Sequence, residues 1–222
     1  MPLMSGWSQR KIEFFIVGRS KEMKKQPKEE EFVLIFNKPY GVLCQFSGLK
    51  PNLSEFIPLK GFYPAGRLDK ASEGLVVLTN SGVAQALISN PKHKMEKTYW
   101  IQVEGDISDK PLKELTEGVV IEKVKTRPAK AKLISPPLGP RVPDIRYRRN
   151  IPTSWIELKL KEGRNRQVRK MTAAVGHPTL RLYRVRVGPW QIFSTKPGEF
   201  YKTPINRLLS SKSEQKFDRS PY

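Results

Sequence analysis

Apolar residues fall along this chain in short blocks. The longest is Phe32 to Phe36, a continuous run that predicts a strand buried on both faces, closed by the turn-forming residues Asn37-Lys38-Pro39-Tyr40-Gly41. Leu75 to Leu78 reads as a second interior strand. Asn80 or Ser81 can cap a short helix through Ala84, Leu87 and Ile88. Thr98 to Val103, rich in β-branched and aromatic residues, predicts a third strand, with Trp100 turned to the core. A helix follows near Pro111 to Leu115 with Asp109 as its N-cap. Pro136, Pro137, Pro140, Pro143 and Pro152 forbid regular structure and predict a long basic surface loop. Trp155 to Leu160 alternates as a strand with one wet face. A helix runs from after Gly163 to about Val175, ended by Gly176 and Pro178. Leu180 to Val187 alternates imperfectly with Arg181, Arg184 and Arg186, which predicts a strand with a basic exposed side.

Several strand connections are too short for helical crossovers, so the fold class expected is α+β: a mixed, mostly antiparallel central sheet with flanking helices, in two sub-lobes. Residues 1–31 carry too little apolar surface to offset ordering entropy and read as a basic, flexible arm. Residues 32–205 form the expected domain and 206–222 a flexible tail.

Charge narrows the partners. Across 222 residues, 41 Lys and Arg stand against 21 Asp and Glu, a formal charge of +20 that points to a polyanion, because cations set against phosphates release condensed counterions. No apolar run approaches the roughly twenty residues of a membrane span, and no secretory signal is visible, so a cytoplasmic protein is expected. One cysteine, Cys44, excludes an internal disulfide and a cysteine-rich zinc site. Two histidines, His93 and His177, leave little for a metal, and Gly-x-Ser-x-Gly does not occur. His177, between Gly176 and Pro178, reads as a turn residue. The chemistry is left to carboxylates, arginines and tyrosines.

Three segments could carry it. In the helix after Gly163, Val168, Met171, Thr172 and Val175 share one face, and Arg166, Arg169 and Lys170 the other. That basic face is either solvated or set against an anion or an internal carboxylate, since cations in a first turn oppose the helix dipole. Asp69 lies between Arg67 and Lys70 and would be held ionised by them; it can attack, accept a proton, or only close a turn. Lys97 and Tyr99 share a strand face, where the tyrosine can stack on a base, move a proton, or pack in the core.

Asn37-Lys38-Pro39-Tyr40-Gly41, Ala65-Gly66-Arg67-Leu68-Asp69 with Ser72-Glu73-Gly74-Leu75, Lys97-Thr98-Tyr99, and Glu162-Gly163-Arg164-Asn165-Arg166-Gln167-Val168-Arg169-Lys170-Met171, in this order, resemble the signature series of the RsuA/RluB/RluE family of RNA pseudouridine synthases, and Ile151-Pro152-Thr153-Ser154-Trp155 with Thr172-Ala173-Ala174-Val175-Gly176-His177-Pro178-Thr179-Leu180-Arg181-Leu182 resemble its E branch. The resemblance extends from about Phe32 to Tyr201 and implies the isomerisation of a uridine in large-subunit (23S) ribosomal RNA, free or in an assembling particle, by a base-flipping enzyme that acts as a monomer and needs neither cofactor nor metal. By match of motif, Asp69 corresponds to the essential aspartate, Tyr99 to the tyrosine that stacks on the flipped uracil, Arg169 to the basic residue paired with the aspartate, and Arg67 to the arginine that fills the gap in the RNA stack. Lys38, Lys70, Lys97, Arg146, Arg148, Arg149, Arg164, Arg166 and Lys170 are the further RNA contacts expected. The E branch lacks the N-terminal S4-type domain of many relatives, as do the first residues here. The alternatives are a non-catalytic RNA-binding or ribosome-assembly protein on the same scaffold, and a carboxylate glycosidase or metal nuclease. The last two are disfavoured because they need paired or clustered acids.

Overall fold

A computed structural model describes residues 31–145, 151–192 and 194–205. The arm at 1–30, the tail from 206 and the expected RNA contacts Arg146, Arg148 and Arg149 lie outside the described residues. The strands are β1 (Phe32–Lys38), β2 (Tyr63–Pro64), β3 (Glu73–Thr79), β4 (Lys97–Glu104), β5 (Val120–Ile121), β6 (Val124–Lys125), β7 (Lys130–Ile134), β8 (Thr153–Leu160), β9 (Thr179–Val187), β10 (Trp190–Gln191) and β11 (Phe200–Pro204). The α-helices are α1 (Gly82–Ser89), α2 (Asp109–Glu117) and α3 (Gln167–Ala174).

One sheet, in the order β11-β1-β3-β9-β4-β8-β7, carries the fold, with β2 added to β3 and β10 to β9. Every pairing in it is antiparallel except β3 with β9, which share only two residue pairs, Glu73 with Tyr183 and Gly74 with Arg184. This short parallel seam divides the sheet into an N-terminal half and a C-terminal half, as the two sub-lobes require. Gly74 makes the seam possible: at φ +98° it adopts a backbone that L side chains rarely take, and a Cβ there would run into the backbone oxygen and nitrogen of Arg184.

The apolar runs become central strands for the expected reason. In β1 and β3, Leu34, Phe36, Val76 and Leu78 pack on one face with Leu53, Ile57 and Leu68, while Val33, Ile35, Leu75 and Val77 pack on the other with Ile88 and Trp190. In the C-terminal half one face holds Ile101, Val103, Ile156, Leu158 and Leu182 against Leu115 of α2 and Val168 and Met171 of α3.

The structure corrects four local readings. Ser108, not Asp109, is the N-cap of α2; Asp109 is its first residue, where a carboxylate suits the dipole. Trp100 is not a core residue: it stacks on Tyr183 on the sheet's other face, at 6.5 Å between ring centroids, while Tyr99 joins the core cluster. The helix expected after Gly163 begins only at Gln167. The basic side of β9 is not exposed. Arg181 and Arg184 are buried, and of the three arginines only Arg186 is open to solvent. Arg184 lies two residues from Leu182 and in unbroken register with it, opposite Tyr99, so it shares the core face. Val185 is then an extra residue that sets Arg186 opposite Thr98 on the other face, and Arg181, opposite Gln102, is held by Glu73 and the Gly139 carbonyl. Residues 135–145 of the proline-dense segment are free of helix and strand as expected, and they cover Trp155, with the Gly139 carbonyl accepting from Arg181 Nη1 at 2.7 Å.

Candidate active site

A cavity of about 660 Å³ opens where the two halves of the sheet meet. Asp69 enters it from the N-terminal half, on the loop between β2 and β3. That loop is fixed at each end: Ala65 N–H donates to Val77 O at 2.8 Å, and the Asp69 carbonyl accepts from Ser72 N–H at 3.0 Å. The carboxylate is left 39% exposed and faces the cavity. Gly41 N–H also donates to Lys70 O at 2.9 Å, so the Asn37 to Gly41 turn acts as a brace for the aspartate loop.

Tyr99 enters from the C-terminal half, on β4 beside the Val185 bulge. Tyr99 and its cross-strand partner Arg184 share one face of the sheet and line the same cavity. Arg184 is 4% exposed and is held by a hydrogen bond from Nε to Leu75 O at 2.7 Å. Lys97 lies one pleat away and lines the same cavity, its Nζ donating to Met95 O at 2.9 Å. Burial, with a smaller push from Arg184, lowers its pKa to about 8.

The cations divide into those that face the cavity and those held by the protein. Arg67 and Lys70 are exposed and line the cavity. Arg166, at the start of α3, brings Nη1 within 3.7 Å of Asp69 Oδ2. Its φ of +49° and ψ of +31° are left-handed, an uncommon state for an arginine that turns its side chain toward the aspartate loop. Arg169, expected as the partner of Asp69, makes no such ion pair. Its Nη2 donates to Ala71 O at 2.6 Å and its Nη1 to Thr179 O at 3.5 Å, so it ties α3 to the aspartate loop through the backbone. Arg164 lines the cavity but directs its guanidinium to Val124 O and Lys125 O, and Lys170 pairs with Glu122 at 2.7 Å. Lys38 is a correction. It is 0% exposed, with Nζ donating to Pro39 O and Val42 O at 2.8 Å each, so its ammonium braces the turn and presents no face to a phosphate. Burial is also the main reason its pKa falls to about 8.

Four residues in or beside the cavity escape a reading of the sequence. The imperfect alternation of Leu180 to Val187 predicts Arg184 on an exposed side, whereas its register with Leu182 puts it on the core face. Cys44, Glu162 and Gln167 line the cavity without a role assigned to them; Glu162 and Gln167 are buried, and they lie inside the Glu162 to Met171 segment already singled out. Among the described residues no cluster of His, Cys, Asp or Glu could hold a metal ion, and no helix is long and apolar enough to cross a membrane.

Residues 32–174 match the RNA pseudouridylate synthase family. The chain belongs to that family. Asp69, Tyr99 and Arg166 all fall inside the matched segment, whereas β9, which supplies Arg184, lies beyond it. Among curated pseudouridine synthases the chain is 47% identical over 174 residues to ribosomal large subunit pseudouridine synthase E of Xanthomonas campestris, covering 76% of this chain and 93% of that protein. It is 37% identical over 165 residues to ribosomal large subunit pseudouridine synthase B of Bacillus subtilis, covering 72% of this chain and 63% of that one. Among solved structures, one described as a pseudouridylate synthase superposes with a TM-score of 0.69 at 28% identity, over 82% of this chain and 74% of that one. The sheet is therefore that of a pseudouridine synthase.

Proposed function

We propose that this enzyme isomerises one uridine of large-subunit ribosomal RNA to pseudouridine, with Asp69 as the catalytic carboxylate and Tyr99 as the surface on which the uracil stacks. The observation that supports this reading is the meeting of Asp69 and Tyr99, from opposite halves of the sheet, in one cavity rimmed by Arg67 and Lys70. A cavity of about 660 Å³ admits a nucleoside but not a helix, so the target leaves its stack, at a cost of about a few kcal/mol that phosphate contacts and stacking offset. In the reaction the N-glycosidic bond breaks, the uracil turns, and C5 rejoins C1′. Atoms balance without oxidant, hydrolysis or phosphoryl transfer, so side chains suffice. The Asp69 carboxylate attacks the sugar or the base, or takes a sugar proton. In this reading Arg166 steadies its charge, and the Tyr99 oxygen relays the proton lost at C5, N1 gaining a proton in the same turnover.

The test is to map pseudouridines in large-subunit ribosomal RNA from cells with the gene, without it, and with Asp69→Asn in its place. Loss of one pseudouridine in the second and third strains, with RNA binding by the Asp69→Asn protein retained, is the expected result. An unchanged map would turn the assignment toward a non-catalytic RNA-binding protein.

A further inference from the structure

The left-handed backbone of Arg166 has a support beneath it. Glu162 is 7% exposed and Gln167 3% exposed, and their side chains meet at the floor of the cavity. Glu162 Oε1 accepts two hydrogen bonds, one from Gln167 Nε2 and one from the Arg127 backbone N–H at 2.9 Å. Gln167 Oε1 in turn accepts from the Arg164 backbone N–H at 2.9 Å, and Gln167 N–H donates to Arg164 O at 3.2 Å. Arg164 closes the ring, with Nη2 3.6 Å from Glu162 Oε2. The chain between these anchors is therefore drawn into a tight loop in which Arg166 is the residue forced to positive φ, and that conformation carries its guanidinium to Asp69. A non-glycine residue in the left-handed region is strained and persists only where its surroundings over-determine it. Here the surroundings are one buried carboxylate and one buried amide.

We propose that Glu162 and Gln167 are positioning residues for the isomerisation: together they lock the loop that sets Arg166 against Asp69, and Arg166 in turn aligns the carboxylate for its reaction. The inference rests on the functional reading above. It assigns to the pair a role separate from RNA affinity, because neither side chain reaches the exposed rim where Arg67 and Lys70 stand.

The hydrogen-bond chain has a direction, and that makes it testable by exchange. Glu162→Gln keeps an oxygen that can accept from Gln167 but loses the charge and sets an amide donor against the Arg164 guanidinium, which Glu162 Oε2 meets at 3.6 Å; Gln167→Glu faces one carboxylate with another and breaks the bond. The double variant Glu162→Gln/Gln167→Glu restores the bond between the two side chains with its polarity reversed, the amide at position 162 now donating to the carboxylate at position 167. Single-turnover rates and RNA dissociation constants would be measured on a transcribed large-subunit RNA fragment that the wild type modifies. Each single variant should lower the rate about 10²-fold, the loss expected when a catalytic group is displaced by about 1 Å, with the dissociation constant changed by less than about threefold. The double variant should recover most of the rate. Arg166→Ala should lower the rate to a similar extent, and adding Glu162→Gln to it should change little more. A wild-type rate in Glu162→Gln, losses that add to those of Arg166→Ala, or an exchanged variant that folds and stays slow would each overturn the proposal. A wild type that modifies no RNA would instead overturn the functional reading. The positioning claim would then be decided by the crystal structure of Glu162→Gln: it stands if Arg166 leaves the left-handed region and falls if Arg166 keeps it.

Discussion

Arg181 grips Glu73 through two parallel hydrogen bonds, Nε to Oε2 at 3.0 Å and Nη2 to Oε1 at 2.9 Å, beside the parallel seam that joins the two halves of the sheet. Both side chains are 8% exposed. Removing one partner of such a pair strands the other charge and costs about 3–5 kcal/mol, whereas replacing both with apolar side chains costs far less. Urea unfolding of Arg181→Met should show a loss of that size, and Glu73→Leu/Arg181→Met should lose less than the sum of its singles. Additive losses would mean that the ion pair does not couple the halves.

Gly74→Ala probes the same seam from the backbone. A side chain at φ +98° is strained by about 1–3 kcal/mol, and its Cβ would press on Arg184, adding a cost of about the same size unless β9 moves away. The expected outcome in thermal unfolding is a midpoint lowered well beyond that of an ordinary surface substitution. Because Arg184 lines the cavity, the turnover rate should fall as well.

Burial of Lys38 makes stability depend on pH in a defined direction. Its pKa is about 8 in the folded chain against 10.5 for an ordinary lysine. Between those values the unfolded chain binds a proton that the folded chain has released, so this lysine's contribution to stability rises with pH across that window and is least favourable below it. The stability of the wild type relative to Lys38→Met should therefore increase from pH 8 to pH 10.5, read by urea unfolding at each pH. A difference that is flat or falls over this range would refute the assignment. Lys97, lowered to about 8 for the same main reason, should behave in the same way.

Exposed and buried cations should separate in the salt dependence of RNA binding. Arg67→Ala and Lys70→Ala should each reduce the slope of log K against log salt by about 0.7, the value for one contact to a single-stranded backbone. Lys38→Met, whose ammonium is bonded to Pro39 O and Val42 O, should leave it unchanged. Charge reversal at Arg146, Arg148 and Arg149 together should flatten the slope most.

Much of the fold could be read from the sequence where burial is strong. Phe32 to Phe36 and Leu75 to Leu78 are apolar without a break because each is covered on both faces. The sequence pattern does not predict β7 and β11: Lys130, Lys132 and Pro204 belong to strands that pair on one side only among the described residues, and their composition resembles that of loops. The error in β9 arises because alternation is a reliable guide only where no residue is inserted, and Val185 is one insertion; at Trp100 the pattern assigns the faces the wrong way round, since the core takes Tyr99 while Trp100 stacks on Tyr183. At the site, Asp69 and Tyr99 were legible as motif residues, and the cavity unites them. That Arg166, not Arg169, faces the aspartate was not legible, because it depends on a left-handed turn that Glu162 and Gln167 impose on a segment whose helical period alone would have placed both arginines on one face.

β3 and β4 follow one another along the chain but do not pair, because β9 lies between them. A ribosome synthesising this chain therefore delivers both strands with one edge unsatisfied, and those edges stay open until the segment ending at Val187 has emerged. Asp69 and Tyr99 are translated early, yet the strand that joins their two halves comes near the end of the domain. A product truncated before β9 lacks Arg184 and the seam, so a complete site exists only in chains whose synthesis has passed β9.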